Sequence, residues 1–140
     1  MKKEIFLSAL FVPISIFSLI LFQEPSLKES MKRGKEVYAM NCQSCHLQNG
    51  EGMEGVNPPV AKTNYLKDAK KNIDIILNGQ SGEITVNGKK FNAFMPAQNY
   101  LTDQQIADVL NYIRNSWGNK YAVITPAQVK AERNKPAKNN

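Results

Sequence analysis

Cysteine and histidine are almost missing from this 140-residue chain, which has two of the first and one of the second. A structural zinc site usually takes four ligands, and no second Cys/His pair exists to complete one. Acid/base pairs, a nucleophile elbow and a phosphate-binding loop are absent too, so catalysis by side chains alone has no residues to name. There is no internal repeat and no second domain. Nor does charge of one sign gather where a folded body would lie. The formal charge is +6, but residues 24–119 hold eleven basic and ten acidic side chains, whereas 120–140 hold five and one. A nucleic-acid-binding domain with a basic face is excluded on that distribution. Charged residues at 21% and hydrophobic ones at 42% exclude a wholly disordered or membrane-embedded chain. The length suits one domain.

The two ends differ from the middle. Lys2 and Lys3 precede an apolar run from Ile5 to Phe22, broken only by Ser8, Pro13, Ser15 and Ser18. That is the layout of an export signal. The small-x-small cleavage pair is missing, and the run's 18 residues lie at the lower end of the roughly 17–25 that cross a bilayer. Residues 1–23 therefore read as a signal peptide or an N-terminal membrane anchor, and both readings place the remainder in the periplasm. At the other end, residues 120–140 read as a basic extension with solvated lysines. Thr125-Pro126-Ala127-Gln128 combines a capping threonine, a first-turn proline and a glutamine at the third position, which predicts a short helix over 126–133.

All three scarce residues fall within one pentapeptide, Cys42-Gln43-Ser44-Cys45-His46. Cys-x-x-Cys-His is the attachment signature of c-type haem. Two thiols three positions apart on a helical turn reach the two vinyl groups on one porphyrin edge, and the next residue projects its imidazole over the iron. A thioredoxin-like site needs a βαβ context that does not precede Cys42. A structural, non-haem protein with a Cys42–Cys45 disulfide is the remaining alternative.

With one histidine, a sixth iron ligand has to come from elsewhere, and methionine is the usual partner in cytochromes c. Met31 and Met40 lie ahead of the motif and Met53 is tethered close behind it. Met95, between Phe94 and Pro96, is far enough along the chain to reach the opposite face. If Met95 does not bind iron, a five-coordinate haem protein, such as a gas sensor or peroxidase-like enzyme, is the alternative function.

Around these residues the pattern predicts helices over about 30–41, 68–78 (capped by Asp68, closed by Gly79) and from Thr102 to Gly118. The last carries a stripe of Ile106, Val109, Leu110, Ile113 and Trp117. Ile84-Thr85-Val86-Asn87-Gly88-Lys89-Lys90-Phe91 predicts a hairpin that presents Met95, because an Asn-Gly turn suits two positions of positive φ. A backbone carbonyl near Pro58 and Pro59 is placed to accept the His46 Nδ1–H.

Taken together, these features resemble a monohaem class I cytochrome c over roughly residues 31–118. Gly34 and Tyr38 match the family's glycine and aromatic residue on the first helix, and Val109 and Tyr112 match the final-helix positions that pack on them. Pro58 matches the proline whose carbonyl holds the proximal histidine. Ile84-Thr85-Val86-Asn87-Gly88 with Met95-Pro96, Asn115-Ser116-Trp117-Gly118-Asn119 and Thr125-Pro126-Ala127-Gln128-Val129 are similar to strings in bacterial cytochromes attached to periplasmic alcohol dehydrogenases and copper nitrite reductases. The resemblance implies an all-α fold around one haem c, bound through Cys42 and Cys45 and ligated by His46 and Met95. A short β-hairpin precedes the methionine. It also implies an electron carrier rather than an enzyme. Its partners would be a separate redox donor and acceptor, such as a dehydrogenase, a nitrite reductase or a terminal oxidase, and not nucleic acid.

Overall fold

The computed structural model describes residues 26–136; the leader expected over residues 1–23 lies outside them. Five helices and one two-stranded hairpin follow in the order α1 (Leu27–Asn41), α2 (Gln43–His46), α3 (Ala69–Asn78), β1 (Ile84–Val86), β2 (Lys89–Phe91), α4 (Asp103–Arg114) and α5 (Pro126–Arg133). A 3₁₀ turn at Asn64–Lys67 precedes α3. No described helix is long and apolar enough to cross a membrane.

Helices α1 and α4 form the central pair, and their crossing depends on Gly34. A Cβ at that position would stand 1.9 Å from the Asp108 carbonyl oxygen, so only glycine lets the two backbones approach this closely. Buried Asp108 sits at the same crossing. Its carboxylate accepts from Ser30 Oγ at 2.6 Å, from Arg33 Nε at 2.6 Å and Nη2 at 2.7 Å, and from Gln104 Nε2 at 3.0 Å. A buried carboxylate is tolerated when it is paired and hydrogen-bonded in this way. One turn on, Tyr38, Tyr112 and Trp117 pack as a triad with ring centroids 5.1–5.6 Å apart.

Two helix boundaries differ from the pattern-based expectation. α1 begins at Leu27 because the Ser26 side chain accepts from the Glu29 amide; Ser30, expected to open the helix, is instead buried against Asp108. α4 ends at Arg114 rather than at Gly118. Its last-turn carbonyls are taken by asparagine side chains: Asn115 Nδ2 donates to Asn111 O at 3.1 Å and Asn119 Nδ2 to Ile113 O at 2.8 Å. Trp117 then adopts a left-handed φ of 51° and turns its ring back onto Tyr38. The capping boxes at Thr102–Gln105 and Thr125–Gln128 both form. So does the hairpin, whose Asn87 and Gly88 both have positive φ.

The region after Asn119 is built into the body of the fold. Ile124 and Val129 are fully buried in the same core as Ile106, Val109 and Leu110. Asn111 clamps the approach to α5: its Nδ2 donates to Ile124 O at 2.9 Å, and its Oδ1 accepts from Ile124 N at 2.7 Å. Arg133 closes the far end on Asp103 Oδ1 at 2.7 Å and on the carbonyls of Leu101 and Asn99. Lys120, Lys130 and Lys135 are exposed, so their charges face solvent while the backbone that carries them is held in place. Ile124→Ala should therefore lower unfolding free energy by about 2–5 kcal/mol, the usual cost of a large core truncation, measured as a shift of the urea midpoint at unchanged slope. A shift of only a few tenths would mean that the segment does not pack as described.

Candidate haem site

The core is not filled. Between α1–α2, α3, the hairpin and α4 lies a cavity of about 360 Å³. Natural interiors hold few voids larger than a water molecule, so a space of this size calls for an occupant. Its walls are mostly apolar, with Ile75, Ile76, Ile84, Val86, Leu101, Val109, Leu110 and Ile113 among them, and among the described residues no Lys, Arg, Asp or Glu lines it.

Cys42, Cys45, His46, Pro58 and Met95 all line this one cavity. The short helix α2 begins directly after α1, with Cys42 as the residue between them. Cys45 and His46 amides both donate to Cys42 O, which coils the pentapeptide into a single turn that brings Cys42, Ser44, Cys45 and His46 to the cavity. Both thiols are free. Cys42 is largely enclosed, and burial pushes its thiol up to about 12, so it stays protonated. Cys45 is exposed and marks where the cavity opens to solvent.

The His46 ring is oriented by the backbone. Its Nδ1 lies 3.0 Å from the Pro58 carbonyl oxygen. A carbonyl only accepts, so Nδ1 carries the proton and Nε2 keeps its lone pair free. Burial also holds the imidazole pKa below its ordinary value, the Pro58 bond acting in the opposite sense. The result is a neutral, aimed imidazole, the form a metal ligand needs. Tyr38 supports the same turn: its hydroxyl donates to Leu47 O at 2.6 Å, and burial raises its pKa.

Met95 is held from the other side, and not chiefly by the hairpin. Met95 and Gln80 exchange backbone hydrogen bonds, both at 2.9 Å, in an isolated antiparallel bridge. Gly79 makes that bridge fit, because a Cβ there would fall 2.5 Å from Met95 O, and its φ is +75°. The hairpin's own contribution to the site is wall: Ile84 and Val86 line the cavity.

The cavity also has a polar margin that no spacing in the sequence marks: Thr63, Tyr65, Asn72 and Gln80. Gln80 Nε2 donates to Tyr65 Oη at 2.9 Å. Buried Arg114 backs this margin, donating from Nη1 to Leu66 O and, at 3.0 Å, to Asn72 Oδ1. Only Thr63 carries a local signal, as the residue that caps the 3₁₀ turn. Asn72 and Arg114 are brought together by tertiary packing alone.

The donor set, the mostly apolar walls and the volume of the cavity fit a c-type haem. Cys42 and Cys45 would hold it covalently, with His46 and Met95 as the candidate iron donors; Met40 also lines the cavity, but its side chain is largely exposed. No cluster of three or more His, Cys, Asp or Glu exists among the described residues to hold another metal.

Comparison with known proteins gives one consistent result. The cytochrome c family model matches residues 31–117. Cytochrome c-552 of Thermus thermophilus is 36% identical, in an alignment covering 73% of this chain and 95% of the relative. The cytochrome c subunit of a quinone alcohol dehydrogenase from Gluconobacter oxydans is 33% identical over 61% of this chain, but only 18% of that subunit's length is matched. The gluconate 2-dehydrogenase cytochrome c subunit of Pantoea cypripedii is 35% identical, with 65% of this chain and 21% of the relative covered.

The Gly79 contact is open to direct test. Gly79→Ala adds a methyl group where the Met95 carbonyl stands and forces alanine into a left-handed φ. The expected loss is about 1–3 kcal/mol of stability, read from denaturant unfolding. Unchanged stability would show that the Met95 segment is not seated against the end of α3.

Proposed function

The chain belongs to the cytochrome c family, and on that premise we propose that it is an exported electron carrier with one haem c. Members of this family are haem-based electron-transfer proteins and not themselves catalysts. In the proposal, Cys42 and Cys45 form the two thioethers, and His46 and Met95 are the axial ligands. The observation that carries it is the convergence of these four residues, from two distant stretches of chain, on one uncharged cavity.

Bound haem supplies a one-electron ferric/ferrous couple. The protein's residues set its conditions. Pro58 fixes the tautomer and aim of His46. Gln80 and Gly79 fix the backbone of Met95. The apolar walls keep water away, and with methionine ligation they favour the reduced, less charged state. If His46 and Met95 both bind the iron, no coordination position would remain for a substrate.

Relatives that serve as cytochrome subunits of alcohol and gluconate dehydrogenases support a redox enzyme as one partner, with a separate acceptor downstream. The Lys2–Phe22 pattern supports export to the periplasm, either as a soluble protein or held at the membrane.

Met95→Ala tests the ligand set. The full chain should be low-spin and bind carbon monoxide poorly when reduced. The variant should become high-spin, bind carbon monoxide readily and show a lower reduction potential. A wild-type protein that is already high-spin and open to carbon monoxide contradicts the electron-carrier reading and favours the five-coordinate one.

A further inference from the structure

Helix α5 contributes no side chain to the cavity wall. It is nonetheless firmly seated on α3 and α4, with Val129 fully buried, its capping box formed and its approach clamped by Asn111. At its last position, Arg133 commits its whole guanidinium fork to the residues that lead into α4. Nε donates to Asp103 Oδ1 at 2.7 Å, Nη1 to Asn99 O at 2.8 Å and Nη2 to Leu101 O at 2.7 Å. These residues are the far end of the segment that carries Met95. From Met95 to the start of α4 the chain has no helix or strand beyond the single bridge to Gln80. That bridge holds one end, and Gln98 N donating to Ile76 O at 2.7 Å holds the middle. At the other end Leu101 is buried and lines the cavity, and its carbonyl belongs to Arg133.

We propose that Arg133 is a positioning residue for the sixth iron ligand: its fork pins the Asn99–Asp103 end of the Met95 segment, so that Met95 stays on the iron and small ligands stay off. The proposal rests on the reading of Met95 as a ligand. An irregular segment opens locally with a free energy set by the few bonds that hold it. Here the bonds come from a cation and are correspondingly strong. Two of the three go to backbone carbonyls in a planar fork, a geometry that a lysine ammonium does not reproduce. The Asp103 pair is the lesser part, because its side chains are 31% and 28% exposed and such pairs contribute little. Arg133 thus links the C-terminal extension to the haem site through the backbone, without touching the cavity.

The test follows cyanide binding to the ferric, haem-loaded full chain. Cyanide enters only after the Fe–S bond to Met95 breaks; its carbon lone pair then forms the Fe–C bond, with no change of oxidation state. At saturating cyanide the observed rate is therefore the rate of Met95 release. Arg133→Gln should raise that limiting rate on the order of tenfold, the effect of losing a charged hydrogen bond. It should also speed amide hydrogen exchange at Met95 and Leu101, whose N–H groups bond to Gln80 O and Gln98 O. Arg133→Lys, which keeps the charge beside Asp103 but not the fork, should behave like Arg133→Gln. Ile106→Val truncates a buried core residue outside the cavity wall. It should leave the limiting rate within about twofold of wild type, although it lowers global stability. An Arg133→Gln protein with wild-type cyanide kinetics and wild-type exchange at Leu101 overturns the proposal. So does an Arg133→Lys protein that matches wild type, or an Ile106→Val protein that releases Met95 as fast as Arg133→Gln. A wild-type protein that is already high-spin defeats methionine ligation, and the positioning role with it, even where Leu101 exchange still responds to Arg133.

Discussion

The backbones of α1 and α4 meet at Gly34 and Asp108 with no room for one methyl group between them. Most of what the molecule does depends on that contact. It brings Ser30 and Arg33 within reach of the buried Asp108 carboxylate, so the polar network and the close crossing stabilise each other. It sets Tyr38 against Tyr112 and Trp117 one turn further along. α1 itself ends at Asn41, where the Cys42–His46 turn begins. Val109, Leu110 and Ile113 of α4 then form the opposite wall of the space that the turn faces. The cavity is thus a consequence of helix geometry, with the reactive residues delivered to its edge.

Electrostatics sharpen the picture. Among the described residues, no Lys, Arg, Asp or Glu lines the cavity, and most ionic groups elsewhere are paired or solvated. Arg114 is the exception, a buried cation held by carbonyl and amide oxygens, with burial lowering its pKa. Its guanidinium also lies over the Tyr121 ring, 5.2 Å from the centroid. A cavity of this kind favours a group that is largely apolar and of low net charge.

Features encoded by neighbouring residues could be read from the sequence directly. The Cys42–His46 turn is one, because its residues are contiguous and coil into a single turn at the cavity. The two capping boxes and the Asn87-Gly88 turn are others, since each is satisfied within four residues. What escaped depends on distant partners. Ile124 and Val129 lie in a polar, lysine-rich stretch whose apolar residues are too few to show a periodicity, yet Asn111 and the core face of α4 recruit both. The end of α4 follows from asparagine side chains that take over its carbonyls, which an apolar stripe running on to Trp117 conceals. Tyr65, Asn72 and Gln80 reach the cavity margin from three separate elements, and nothing local distinguishes them from surface polar residues. Met95 was legible through its proline and its distance from the motif; its seat on Gln80 and Gly79 was not.

The central claim is that Cys42 and Cys45 carry a covalent haem within this cavity, and intact-protein mass spectrometry of the exported chain under denaturing conditions tests it most directly. The account predicts a mass equal to the mature chain plus one haem, with the adduct confined to the peptide bearing Cys42-Gln43-Ser44-Cys45-His46. A mass equal to the bare chain, whether with two free thiols or two hydrogens lighter for a disulfide, would contradict it.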